Sequence, residues 1–311
     1  MTLRLPVVPV LFGPTASGKS ALALRLAKKL SKPLIINADS RQLYKGFPIL
    51  NACPSAADYA AVPHALYEVL DPRTRFSAAD YAKKVIEIIE NSLKKGMIPV
   101  VVGGTGFYLR ALMGGLSTIP ASDPAIEALV AALPAAARFA ALQVADPATA
   151  AKLHPTDTQR VVRALTVFRQ TGQPLSAWQT GAEVPPLPWR WLKVGLNPPR
   201  AAVHAALRHR WEVTNPALGV VAEAQALVAA GYTGEEPGLK GLAIPLWLAH
   251  ARGEVDLATV TQKALEADRQ YAKRQYTWLR NSFGADLTLT APAQPAAVSE
   301  ILARMSCKGL P

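Results

Sequence analysis

Residues Gly13 to Ser20 read GPTASGKS and match the phosphate-binding pattern G-x-x-x-x-G-K-[ST] at every defined position. The chemistry follows from the residue types. Glycines let the backbone curl around an anion with its N–H groups turned inward. A helix starting at the end of the loop adds partial positive charge, Lys19 adds a full one, and Ser20 offers a hydroxyl to Mg²⁺. Gly13, Pro14, Thr15, Ala16, Ser17, Gly18, Lys19 and Ser20 are therefore the candidate polyphosphate cradle. The pattern serves a diphosphate or a nucleoside triphosphate such as ATP alike.

A second chemical group is Asp39, which ends the apolar run PLIINA. Beside a polyphosphate, a carboxylate can ligate metal, act as general base or merely cap a helix. The run MIPVVV ends in Gly103-Gly104-Thr105-Gly106, and not in the Asp with which P-loop ATPases hold Mg²⁺. Asp39 is thus the leading active-site carboxylate. Thr105 can turn a hydroxyl and an N–H toward an incoming group, although glycines at such a place can also serve the turn alone. Thr156 and Gln159 have capping-box spacing, which predicts a helix carrying Arg160 and Arg163 on one face. Farther on, Asp268 to Arg280 reads DRQYAKRQYTWLR. Helical spacing puts Arg269, Lys273, Tyr276 and Arg280 on one stripe, with Tyr271, Trp278 and Leu279 nearer the opposite side for packing. Such a stripe is either an ordinary solvated face or a surface for phosphates. Arg208 and Arg210 add further charge.

These groups need a scaffold, and the apolar pattern supplies one. Strands are predicted at Val7–Phe12, Pro33–Ala38 and Met97–Val102, with helices at Ala21–Leu30 and Ser77–Lys95. The second helix shows an apolar stripe of Tyr81, Val85, Ile88, Ile89 and Leu93. Strands alternating with helices predict a parallel sheet, whose ligands lie at the carboxyl ends of the strands. Gly13, Asp39 and Gly103 should converge there. After Gly115 the chain turns rich in Ala and Pro, with helical patterns at Ala125–Leu133 and Asp157–Gln170. Residues 117–189 read as a helical insertion leaving through PPLP at Pro185–Pro188, and Arg190–Leu196 as a returning strand. Beyond Arg200 the pattern is mostly helical. The expected fold is α/β: a P-loop NTPase-like parallel sheet flanked by helices, built from 1–116 and 190–311, with an inserted all-helical subdomain.

Composition narrows the partners. Lys and Arg total 34 against 22 Asp and Glu, a net charge of +12, although only 18% of residues are charged. A balance that basic favours an anionic partner, nucleic acid foremost. Cys53 and Cys307 lie far apart without metal-ligand spacing and read as free thiols in a reducing compartment. No apolar run is long enough for a membrane span, and the start of the chain lacks signal-peptide character. A soluble, cytoplasmic protein is expected.

Taken in order, these segments resemble the tRNA dimethylallyltransferase family, also called tRNA isopentenyltransferases. The resemblance is carried by GPTASGKS, NADSRQLYKG (37–46), PHALYEVLDP (63–72), FSAADYAKK (76–84), PVVVGGTGFYLRAL (99–112), QRVVRALTVFRQTGQPLS (159–176) and RQYAKRQYTWLR (269–280). It implies transfer of a dimethylallyl group from dimethylallyl diphosphate to the exocyclic amine of the adenosine 3′ of the tRNA anticodon, with no ATP consumed. The cradle, with Lys19, Mg²⁺ at Ser20 and Arg210, would then hold the diphosphate. Asp39 would accept the amine proton beside Thr105. Ser40, Arg41 and Gln42 would touch the extruded base. Gln159, Arg160, Val161, Val162 and Arg163 would contact the anticodon stem-loop from the insertion, and Arg269, Lys273 and Arg280 would also meet RNA. One anticodon arm per chain needs no symmetry, so a monomer is expected. The chain departs from the family pattern at Cys53, Ala206, Gly241–Pro245 and Asp268.

Two other readings share these features. A small-molecule P-loop kinase would use the same cradle and Mg²⁺, but has no evident need of the basic excess or the insertion. A non-catalytic RNA-binding protein would not need an intact GKS with Asp39 beside it.

Overall fold

In the computed structural model, which describes residues 5–115, 119–179, 187–241 and 243–306, six strands form one parallel sheet. They are β1 (Val7–Phe12), β2 (Pro33–Asn37), β3 (His64–Ala65), β4 (Ile98–Gly103), β5 (Arg190–Leu196) and β6 (Leu287–Leu289), in the order β3-β2-β4-β1-β5-β6. The β-branched runs of β1 and β4 are buried almost throughout, as a sheet covered on both faces requires. Pro9 has no N–H to donate, and β1 pairs with β4 only beyond it, from Val10↔Val101 to Phe12↔Gly103. On its other side β1 runs against β5 along its full length, Val7↔Arg190 to Phe12↔Gly195. The chain therefore builds outward from β1 in one direction and returns for β5 on the other. That places the switch point, and the crevice it opens, at the ends of β1, β4 and β5.

Helices Lys19–Ala27 and Ala78–Lys94 follow where the apolar periodicity put them. Ser77 accepts the N–H of Asp80 while the Asp80 carboxylate accepts that of Ser77, a capping box that starts the second helix. Its Tyr81, Val85 and Ile89 are fully buried. Leu22 and Leu26 of the first helix are also fully buried, packing with Leu11, Ile35, Val100 and Val194 of the sheet and Ile301 of the last helix, Pro295–Ser306. Burial of each such Leu contributes about 1.5–3 kcal/mol. Strands β3 and β6 were not expected. At two and three residues they are too short to show a period, and their pairing with β2 and β5 makes them strands.

The chain divides into two compact units, one of residues 1–112 with 187–311 and one of 113–186. The second is helical. Pro124–Ala131 and Ala135–Ala145 pack on Thr158–Thr171 around Val130, Leu142, Val161 and Leu165. The expected exit at 185–188 lies partly outside the described residues, as does Cys307. No single described helix is long and apolar enough to cross a membrane.

Candidate active site

The cradle grows out of the end of β1. A Cβ on Gly13 would lie 2.7 Å from Ser17 Oγ and 2.8 Å from Leu196 Cβ, so the turn can close only with glycine there. Ala16 (φ 58°) and Gly18 (φ 85°) both take the left-handed conformation, curling the loop into a nest before the helix starts at Lys19. Left-handed backbone is costly for alanine and persists here because the loop around it holds it. Lys19 Nζ donates to Pro14 O at 3.2 Å. Desolvation lowers the Lys19 pKa and Arg210 adds to the effect, while Asp39 and Asp268 oppose it. Ser20 is exposed on the first turn. Ser17 Oγ is buried without a partner among the described residues, inside the same turn.

The Asp39 and Thr105 loops are tied to each other. Gly103 ends β4 against the end of β2, where a Cβ would stand 2.0 Å from the carbonyl carbon of Ala38. Thr105 N donates to Ala38 O (3.1 Å), and Ser40 N donates to Thr105 Oγ1 (2.9 Å). Thr105 Oγ1 in turn donates to Ser40 Oγ at 3.2 Å. Buried Asn37 braces the turn from beneath: its Oδ1 accepts Asp39 N at 2.7 Å, and its Nδ2 donates to Asp39 O and Leu66 O. Asp39 Oδ1 accepts the N–H of Arg41 at 3.1 Å, forming an Asx turn with no helix after it. Helix capping is therefore not the role of Asp39.

Positive charge gathers around this carboxylate. Arg41 is held by Asn51 Oδ1 at 3.4 Å, and burial lowers its pKa against the opposing pull of Asp39, Asp268 and Tyr271. Gln42 Nε2 donates to Asn51 O at 3.2 Å. Arg210 donates to Leu50 O (3.2 Å), lies over the Trp211 ring and pairs with Asp268 at 3.8 Å. Its Nε is buried without a partner among the described residues. Asp268 is buried and accepts the Trp211 indole N–H at 2.9 Å, so the residue that departs from the family pattern is an anchor for Arg210. Arg210 opens a wide π-type turn, Arg210–Thr214, just ahead of Pro216, which cannot donate to the preceding turn.

The long helix Leu257–Trp278 closes the site with the side opposite its cationic stripe, the side expected to pack through Tyr271, Trp278 and Leu279. Asp268, Tyr271, Gln275 and Trp278 point inward at i, i+3, i+7 and i+10. Tyr271 lies beside Thr105, and burial pushes its phenol pKa up. Gln275 Oε1 accepts Thr15 N at 2.7 Å while its Nε2 donates to Gly104 O at 2.8 Å. Trp278 packs against Phe12 with its ring tilted by 58° and lies where a Cβ on Gly106 would stand, 2.4 Å from the indole. Lys273 and Arg280 are exposed and Arg269 is partly buried. Tyr276 is buried, donating to Pro198 O at 2.7 Å, and does not join the cations. Gln275 and Glu223 were missed at the sequence level, and Tyr271 was read only as a packing residue. The Glu223 carboxylate accepts the N–H groups of Ile49 and Leu50, and its glutamate looks like any helix-surface acid in sequence.

In the helical unit the cap expected from Thr156 is supplied by Asp157, whose carboxylate accepts Arg160 N, while Thr156 Oγ1 bonds to His154. Gln159 and Arg160 are exposed, and Arg160 pairs with Asp157 at 3.4 Å. Val161 and Val162 are buried in this unit's core, so their side chains cannot reach RNA. Arg163 is not simply solvated either, because it donates to Ser122 Oγ and Pro120 O. Cys53 shares a recess with Ser20, His64 and Tyr67, and burial pushes its thiol pKa up. Ala206 is exposed, and Gly241 lies close to Arg41.

This donor set suits a polyphosphate and a hard cation held partly by it. No group of three or more His, Cys, Asp or Glu capable of a self-standing metal site occurs among the described residues. A hydroxyl at Ser20 on the first turn of the helix matches the way Mg²⁺ takes few protein ligands and completes its shell with phosphate oxygens and water.

Residues 42–282 match the family model described as IPP transferase. A tRNA dimethylallyltransferase of Rhodospirillum centenum is 46% identical over 284 residues, covering 89% of this chain and 90% of that protein. The tRNA isopentenylpyrophosphate transferase structure from Staphylococcus epidermidis has a TM-score of 0.68 and 26% identity, covering 96% of this chain and 98% of that one. A eukaryotic dimethylallyltransferase structure has a TM-score of 0.79 at 24% identity over 96% of this chain and 77% of that one, a likeness of fold.

Proposed function

The chain belongs to the tRNA dimethylallyltransferase family, and from that premise we propose how its own residues carry out the transfer. The enzyme is a transferase that modifies tRNA with a dimethylallyl group. In our reading the donor is dimethylallyl diphosphate and the acceptor is the N6 amine of the adenosine 3′ of the anticodon. The amine attacks C1 of the donor, the C1–O bond breaks, and the electron pair leaves with the diphosphate. Gly13–Ser20, the helix N-terminus, Lys19 and Arg210 meet the charge that grows on the leaving group. Mg²⁺, held by the Ser20 hydroxyl together with diphosphate oxygens, would neutralise part of that charge.

Asp39 takes the amine proton. Its Oδ1 holds Arg41 N–H, and Oδ2 is the oxygen assigned to the proton. Thr105 and Ser40 hold each other beside it, which keeps the base and the cradle in register. Ser40, Arg41 and Gln42 receive the extruded base. Gln159 and Arg160, with Lys273, Arg280 and Arg269, contact the RNA, and the basic excess of the chain steers it. The same reading puts the protein in the cytoplasm as a monomer.

The observation that carries this reading is the end of β4. Gly103–Gly106 offers Thr105 to the Asp39 turn where a nucleotide-hydrolysing site would place a metal-binding carboxylate. The test is prenyl transfer from labelled dimethylallyl diphosphate to unmodified tRNA with Mg²⁺ and no ATP. Label in the RNA supports the reading. Absence of label, with phosphoryl transfer from ATP to a small acceptor instead, would replace it with the kinase reading.

A further inference from the structure

Gln275 is buried to 3% relative exposure and ties together the two loops that follow the paired strands β1 and β4. Its Oε1 accepts Thr15 N at 2.7 Å, and its Nε2 donates to Gly104 O at 2.8 Å. Both partners are backbone groups of set polarity, so the orientation of the amide is determined by them. A side-chain amide supplies the acceptor and the donor in the order the two partners need. A glutamate carboxylate would keep the Thr15 bond and turn an oxygen lone pair against the Gly104 carbonyl. Gly104 is shaped to this partner: a Cβ there would lie 2.2 Å from Gln275 Nε2. The Thr15 N–H is committed to Gln275, which ties the cradle to the α-helical wall.

We propose that Gln275 is a positioning residue for the transfer. Its amide sets the spacing between the loop that holds the leaving diphosphate and the Gly103–Gly106 loop, whose Thr105 carries the Asp39–Ser40 turn. The proposal rests on the transferase reading above. Its force comes from the steepness of reaction rates with geometry: a displacement near 1 Å between reacting groups costs about 10²-fold. Gln275 touches neither reactant, so its loss acts through the loops.

The test measures kcat and both KM values for labelled dimethylallyl transfer to tRNA in the wild type, Gln275→Ala, Gln275→Glu, Gly104→Ala and the Gln275→Ala/Gly104→Ala double variant, with thermal melts on each. Each single variant is expected to lower kcat by about 10²-fold while both KM values stay within about threefold. The double variant should be no slower than either single one, because removing the amide opens the space that a Cβ on residue 104 needs. Gln275→Glu retains the side-chain volume and gives the same reading if the alanine variant fails to fold. Active wild type with unchanged kcat in the folded variants, with losses that multiply in the double variant, or with losses confined to KM, overturns the proposal alone. Wild type without transfer overturns both the reading and the proposal.

Discussion

Glu223 gives the most quantitative prediction. Its carboxylate is half-buried on the helix Val220–Ala229 and accepts the N–H groups of Ile49 and Leu50, each at 2.8 Å. Burial raises its pKa from 4.5 to about 7; the two N–H bonds oppose the shift, and Glu68 adds to it. The native state therefore holds this proton more tightly than the unfolded chain does. Between those two pH values stability must fall as pH rises. A shift of that size corresponds to about 3 kcal/mol, and partial solvent exposure reduces it to about 1–2 kcal/mol. In Glu223→Gln this ionisation is absent. Compared with wild type, the variant should gain about 1–2 kcal/mol between pH 5 and pH 8, or about 2–6 °C in relative Tm for a domain of this size. Thermal melts of both proteins across that range measure it. A stability difference that stays constant from pH 5 to pH 8 would refute the reasoning. The residue matters to the site because the segment it holds offers Leu50 O to Arg210 and Asn51 Oδ1 to Arg41.

Three further outcomes follow from the same geometry. Asp39→Ala should reduce kcat for prenyl transfer by about 10²–10⁴-fold, since it removes the proton acceptor; an unchanged rate would take that role from Asp39. Gly103→Ala should destabilise the protein by about 3 kcal/mol or more, read by chemical denaturation, because its Cβ would stand 2.0 Å from the Ala38 carbonyl carbon. Arg160→Ala should weaken tRNA binding and lower the slope of log affinity against log salt by about one, whereas Arg163→Ala should mainly lower thermal stability by freeing Ser122 and Pro120. Equal salt slopes in wild type and Arg160→Ala would show that Arg160 is only solvated.

What could be read from the sequence is local chemistry. GPTASGKS specifies its own turn, because glycines at 13 and 18 permit backbone that other residues resist. Strands β1, β2, β4 and β5 were predicted within a residue or so of where they run, since a buried parallel strand is an apolar run with punctuation at its ends. Order along the chain then implied that Gly13, Asp39 and Gly103 meet at the strand ends. Tertiary structure decided the rest. Helical spacing in 268–280 separates a packing side, with Tyr271 and Trp278, from a cationic one, but does not say what the packing side meets. The packing of Trp278 on Phe12 and the bonds of Gln275 to Thr15 and Gly104 bring the polar and aromatic face to the site and leave Lys273 and Arg280 in solvent. Likewise Val161 and Val162 are part of a matching motif, yet they fill a core, and Asp157 outcompetes Thr156 as the cap. Asp268 and Glu223 are ordinary acids in sequence and become an anchor for Arg210 and a clasp on Ile49 and Leu50 only through contacts between distant residues. A one-dimensional pattern records which groups a helix or loop carries; which partner each one finds is settled when buried polar groups must be satisfied in three dimensions.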